Sequence, residues 1–155
     1  MKGIIVYYSQ SGNTESVAKE LARQFDMKTV RLHAVEPYSA SDLDGEDESS
    51  RCYREYRHPE MRPAIKPVDV DFAEYDTILL GFPIWWYREP NLILTFLDTY
   101  GKELKGKAIY PFSTSYQSPE TKADISLERS YPDLDIKKGL HFPASEEEIS
   151  EWINQ

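Results

Sequence analysis

Residues Ile4 to Thr14 read Ile-Ile-Val-Tyr-Tyr-Ser-Gln-Ser-Gly-Asn-Thr. The near-continuous apolar run Ile4, Ile5, Val6, Tyr7 and Tyr8 is the pattern of a parallel strand covered on both faces. Ser9, Gln10, Ser11, Gly12, Asn13 and Thr14 then bring hydroxyl and amide donors, a conformationally permissive glycine and the start of a helix. Unpaired N–H groups and the helix dipole at such a start favour an anion without help from a basic side chain. The loop has neither Lys nor Arg, so the expected anion is a single monoester phosphate held by neutral donors. The plainer alternative is that Ser11 or Asn13 only caps a helix. Two nucleotide motifs are absent: there is no Gly-Lys-Ser/Thr, and with Gly12 alone there is no GxGxxG.

From this stretch outward, strand and helix signals alternate. Residues 3–8 read as the first strand, and Thr14 to Phe25 as a helix with Val17, Ala18, Leu21, Ala22 and Phe25 on one face. Met27 to Leu32 is a second strand. Pro37 to Pro67 is polar and charge-dense, with a short helix expected around Ser50 to Tyr56. Asp76 to Gly81 is a third strand, and Pro90 suits the first turn of a helix running to about Tyr100. Lys107 to Phe112 is a fourth strand. Ser118-Pro119 reads as cap and first residue of a helix to Arg129, and Asp135 to Leu140 as a short fifth strand. Ser145 and Glu148 form a capping box for a last helix that turns Ile149, Trp152 and Ile153 inward. Five strands joined by helical crossovers imply a doubly wound parallel sheet in a three-layer α/β/α domain spanning 1–155.

Three segments resemble the flavodoxins. Ser9-Gln10-Ser11-Gly12-Asn13-Thr14 fits that family's phosphate loop, Ser/Thr-x-Ser/Thr-Gly-x-Thr, at every defined position. Gly81-Phe82-Pro83-Ile84-Trp85-Trp86-Tyr87 is similar to the GxPIWW loop of one flavodoxin-like branch, and Pro111-Phe112-Ser113-Thr114-Ser115 to its third cofactor loop. The resemblance implies strand order 2-1-3-4-5, with ligands at the carboxyl ends of strands one, three and four. It also implies FMN as cofactor. Ser9, Ser11, Gly12, Asn13 and Thr14 would bind the phosphate, and Gln10 would contribute its backbone N–H. Pro83, Ile84, Trp85, Trp86 and Tyr87 would wall the isoalloxazine, while Ser113, Thr114 and Ser115 would meet its polar edge. The branch continues the third loop with glycines, whereas Tyr116 stands here, placed to cover the flavin or to block a substrate from reaching it. The second loop has no glycine between Phe82 and Tyr87, so positive φ there is expected to be costly.

Composition narrows the partners. The 155 residues hold 18 Lys and Arg against 27 Asp and Glu, a net charge of −9. That sign disfavours nucleic acid and anionic membranes, and favours redox partner proteins with basic docking surfaces. With 40% hydrophobic residues the chain can fill a core. Cys52 is the single cysteine, which excludes an intrachain disulfide and suits a reducing compartment. No apolar stretch approaches the roughly 20 residues of a membrane span. The first strand starts at Ile4, leaving no room for a signal peptide, so residence in the cytoplasm is the expectation. His33, His58 and His141 lack metal-ligand spacing and read as surface or loop residues. The run Asp42 to Glu48 lacks the pattern of a calcium loop and reads as a solvated acidic segment, with Arg51, Arg54, Arg57 and Arg62 available to pair with it or with a partner.

Three functions fit these features. The first is a low-potential electron carrier, monomeric or weakly dimeric. The second is an FMN-dependent NAD(P)H quinone or nitro reductase, in which Pro37 to Pro67 would help form a substrate pocket. The third is a flavin-free partner-binding module. The acidic charge and the bulky third loop favour the carrier.

Overall fold

A computed structural model describes all residues except 45 and 115–122. The chain runs β1 (Gly3–Tyr7), α1 (Asn13–Phe25), β2 (Lys28–Arg31), α2 (Arg51–Arg57), β3 (Thr77–Pro83), α3 (Asn91–Leu104), β4 (Ala108–Thr114), α4 (Ala123–Ser130), β5 (Asp135–Ile136), β6 (Leu140–Phe142) and α5 (Glu146–Ile153). All pairings between named strands are parallel, in the order β2-β1-β3-β4-β5, with β6 also on β4.

Period-two alternation sorts the strands between two cores. Ile4, Val6, Ile78, Leu80, Phe82 and Ile109 face one side, where α3 adds Leu92, Ile93, Phe96 and Leu97, and α4 adds Leu127. Ile5, Tyr7, Leu79, Tyr110 and Phe112 face the other, against Ala18 and Leu21 of α1 and Ile149 and Trp152 of α5. Gly81 is required where β3 passes under the Phe112 ring: a Cβ there would lie 2.1 Å from Phe112 Cζ.

The single fifth strand expected from Asp135 to Leu140 is instead two strands. Ile109 pairs with Ile136 and Phe112 with Leu140, so three steps along β4 face four along the broken strand, which leaves one extra residue at the break. Pro111 explains it. Ile109 O accepts from Lys137 N, and alternation aims Pro111 at the same edge, where it has no N–H to give. Its carbonyl instead accepts from Trp152 Nε1 at 3.1 Å.

Helix boundaries follow their caps. Ser50 Oγ accepts from Tyr53 N and starts α2, and the Ser145–Glu148 capping box starts α5 as expected. Pro90 occupies the N-cap of α3 rather than its first turn, and the helix runs four residues past Tyr100 to Leu104. Ser118 and Pro119 lie outside the described residues.

Candidate functional site

The first loop leaves the β1 end and enters α1 through Gly12, the N-cap, at φ 97 with no side-chain cap. Neither Ser11 nor Asn13 therefore caps this helix. Ser9 Oγ, buried, accepts from Glu15 N at 3.1 Å and satisfies one of the orphan N–H groups of the first turn. Among the described residues no acceptor meets the N–H groups of Ser11, Gly12, Asn13 or Thr14. Open space surrounds the missing Gly12 Cβ. The Gln10 side chain is committed elsewhere: its Oε1 accepts from Tyr8 OH at 2.5 Å and its Nε2 donates to Tyr38 O at 3.1 Å. Its side-chain amide is thus engaged within the protein at both ends.

Thr14 and Thr114 tie the first and third loops together. Their Oγ1 atoms lie 2.8 Å apart, both residues buried, above the β3 end that separates them. Pro83 lies opposite Thr114 in the sheet register, and Ile84 N donates to Thr114 O at 2.9 Å. Ser113 Oγ is 3.0 Å from His141 Nδ1 on β6. His141, read from the sequence as a surface or loop residue, is half-buried on β6, and burial lowers its pKa. Ser115 and Tyr116 lie outside the described residues.

The second loop is a two-residue hairpin. Trp85 N donates to Arg88 O at 3.0 Å, and the turn residues Trp86 and Tyr87 sit at φ 55 and φ 72. Both are left-handed, the geometry of a type I′ turn that Asn-Gly ordinarily supplies. The glycine-free loop thus takes positive φ at two bulky residues, at about 1–3 kcal/mol for each. Packing holds it. Trp85 makes edge contacts with Tyr8 and Tyr38 at 5.6 and 5.0 Å, and Trp86 meets Tyr53 at 5.0 Å and Tyr56 at 5.9 Å on α2. Arg88 Nη2 donates to the carbonyls of Glu55 and Tyr56, both at 2.9 Å, and Asn91 Nδ2 to Glu55 O at 2.8 Å. These bonds close the C-terminal end of α2 onto the hairpin. Tyr87 alone of the three aromatics is exposed, at 60%.

Segment 37–67 thus supplies the hairpin's support, and Arg51 and Arg57 serve that packing through Tyr38 and Tyr53. Arg51 stacks over the Tyr38 ring at 3.8 Å and donates to Glu55 at 3.0 Å, while Tyr38 OH donates to the buried Glu55 at 2.5 Å. Burial and this carboxylate raise the Tyr38 pKa. Arg62 pairs with Asp98 of α3 at 2.7 Å. Of the two roles left open for these arginines, pairing with the run Asp42 to Glu48 is not seen among the described residues, where Asp42, Asp44 and Asp47 close local turns on Ser39, Glu46 and Ser49. Cys52 is buried beside Trp86, and burial pushes its thiol up to about 12, so it is not a nucleophile at neutral pH.

Glu89 carried no signal in the sequence beyond a charge between the hairpin and an apolar helix. It is 1% exposed; its Oε1 accepts from Ser126 Oγ of α4 at 3.0 Å, and Oε2 has no partner among the described residues. Burial raises its pKa to about 7, against the opposing pull of Arg88 and Arg62. Among the described residues no cluster of His, Cys, Asp and Glu is arranged to hold a metal ion. No described helix is long and apolar enough to cross a membrane.

A doubly wound sheet with a donor-rich, cation-free loop at the β1 end and an aromatic hairpin at the β3 end defines the flavodoxin class. The chain matches the flavodoxin family model over residues 2–155 and belongs to that family. It is similar in structure to a Bacteroides eggerthii protein described as a flavoprotein, with 34% identity over 99% of this chain and 96% of that one and a TM-score of 0.91. A Bacteroides uniformis protein described in the same way shares 35% identity over 99% and 98% of the two chains, with a TM-score of 0.87. A Lactobacillus acidophilus flavoprotein crystallised in complex with FMN shares the fold at 22% identity, 98% coverage of both chains and a TM-score of 0.75. No curated protein sequence matches significantly.

Proposed function

We propose that this flavodoxin binds FMN and carries low-potential electrons between redox partner proteins in the cytoplasm. The observation that carries the reading is the first loop. Its N–H groups, which meet no acceptor among the described residues, the left-handed Gly12 and the nearby hydroxyls of Ser11 and Thr14 form a neutral donor set for one monoester phosphate. A Lactobacillus acidophilus flavoprotein of the same fold was crystallised in complex with FMN.

When bound, FMN would supply the reversible redox chemistry; the protein binds, orients and shields it. Asn13 and Thr14 offer donors to the phosphate at the α1 start. Tyr87 offers an exposed ring for the isoalloxazine, while Trp85 and Trp86 are backing held by their own aromatic partners. Pro83, Ile84, Ser113 and Thr114 line the strand ends between, with Ser115 and Tyr116 beyond the described part of the third loop. An apolar, aromatic surround and the net charge of −9 both oppose added negative charge on the cofactor, and so favour a strongly reducing couple.

The carrier reading is favoured over a reductase by what segment 37–67 does. It lays Tyr53 and Tyr56 against Trp86, so this part of the segment packs behind the hairpin. The acidic surface suits partners with basic docking faces.

Anaerobic photoreduction of FMN-loaded protein, followed by NADPH and a quinone, tests the reading. A carrier shows stepwise photoreduction and no direct oxidation of NADPH. Rapid bleaching by NADPH with quinone turnover would make the protein a reductase, and failure to bind FMN would leave a partner-binding module.

A further inference from the structure

The first loop is held in place by residues outside its motif. Arg31, the last residue of β2, donates from Nη2 to Ser9 O at 2.8 Å and from Nη1 to Glu15 Oε2 at 2.7 Å. The same Glu15 oxygen accepts from Tyr7 OH at 3.2 Å, and Glu15 N donates to Ser9 Oγ at 3.1 Å. Ser9, Arg31 and Glu15 therefore close a ring of hydrogen bonds that joins the β1 end, the neighbouring strand and the first turn of α1. Residues 10–14 are the arc this ring spans. Lys19 adds a looser contact to Glu15 at 3.5 Å.

We propose that Arg31 and Glu15 are positioning residues that pre-form the loop for a phosphate monoester, Arg31 acting through Ser9 and Glu15 rather than by its charge on the ligand. The inference rests on the assignment of the loop to the FMN phosphate. Two features of the ring support it. Both terminal nitrogens of the guanidinium donate to protein acceptors, and a carboxylate stands beside it at the anion end of α1, where charge alone would make Glu15 unfavourable for binding. A cradle fixed before binding loses less freedom when the ligand arrives.

The sign of one substitution separates positioning from electrostatics. Arg31→Met keeps the aliphatic stem and removes the fork; Glu15→Leu keeps the helix and removes the acceptor. FMN and riboflavin are titrated into flavin-free wild type and both variants, with flavin fluorescence as the readout. Positioning predicts that each variant binds FMN about five- to tenfold more weakly, with riboflavin affinity unchanged. Tyr7→Phe, which removes only one bond of the ring, gives a smaller loss of the same kind and serves if a larger substitution fails to fold. Tighter FMN binding by Glu15→Leu, or an unaltered FMN-to-riboflavin ratio in both Arg31→Met and Glu15→Leu, overturns the inference. A wild type with no preference for FMN over riboflavin overturns the phosphate assignment beneath it.

Discussion

Replacing Glu89 by Gln should remove one pH-dependent contribution to stability. Glu89 is buried at the junction of the hairpin, α3 and α4, and its pKa stands at about 7 in the fold against an ordinary 4.5. A raised carboxyl pKa favours the neutral form. Its stabilising contribution is complete below pH 4.5 and is lost as pH rises through 7. The gap between the two values corresponds to about 3 kcal/mol, of which about 2–3 kcal/mol is lost between pH 5 and pH 8. Gln keeps an acceptor for Ser126 Oγ and has nothing to ionise, so any cost of its amide is constant across that range. Urea unfolding of flavin-free wild type and Glu89→Gln at pH 5, 6, 7 and 8 measures the difference. The variant should gain about 2–3 kcal/mol on the wild type across the series, or about 5–10 °C in melting temperature for a domain of this size. A difference that stays constant from pH 5 to 8 would refute the assignment of a buried, largely unpaired carboxyl at this position.

Thr14→Val should cost about 1–2 kcal/mol of stability by stranding the buried Thr114 hydroxyl, and should weaken FMN by a further factor of about ten, measured by chemical unfolding and by titration. Tyr87→Gly should leave flavin-free stability within about 1 kcal/mol, because relief at φ 72 offsets the added freedom of the unfolded chain. The same variant should bind FMN and riboflavin equally poorly relative to wild type and shift the bound flavin's absorption. Gly81→Ala should destabilise by about 1–3 kcal/mol or more in thermal unfolding, since the new methyl meets the ring of Phe112, fixed in the core, rather than the end of a flexible chain.

What was legible in the sequence was local. The run Ile4 to Tyr8 followed by Ser9 to Thr14 carries strand, turn and helix signals within eleven residues, and the structure builds β1, the Gly12 turn and α1 from them. The Ser145–Glu148 box is similarly self-contained. Pairings across the fold left no such trace: Thr14 meets Thr114 a hundred residues away, and Arg31 reaches back to Ser9 and Glu15 only because β2 lies beside β1. The hairpin defeated propensity outright. Trp86 and Tyr87 take a backbone geometry that glycine and asparagine favour, because α2, Tyr8 and Tyr38 hold the turn from outside. Tyr38, Tyr53 and Tyr56 were the visible clue that the charge-dense segment packs inward, but charge density masked them. Pro111 was likewise visible inside the fourth strand, and its missing donor accounts for the break between β5 and β6.

The central claim is that the Ser9 to Thr14 loop holds the phosphate of FMN. Equilibrium titration of the flavin-free protein with FMN and with riboflavin, which differ only in that phosphate, tests it most directly. The account predicts FMN binding at least about a hundredfold tighter than riboflavin, the worth of a few charge-assisted hydrogen bonds in a preformed cradle. Equal affinity for the two, or no binding of either, would contradict it.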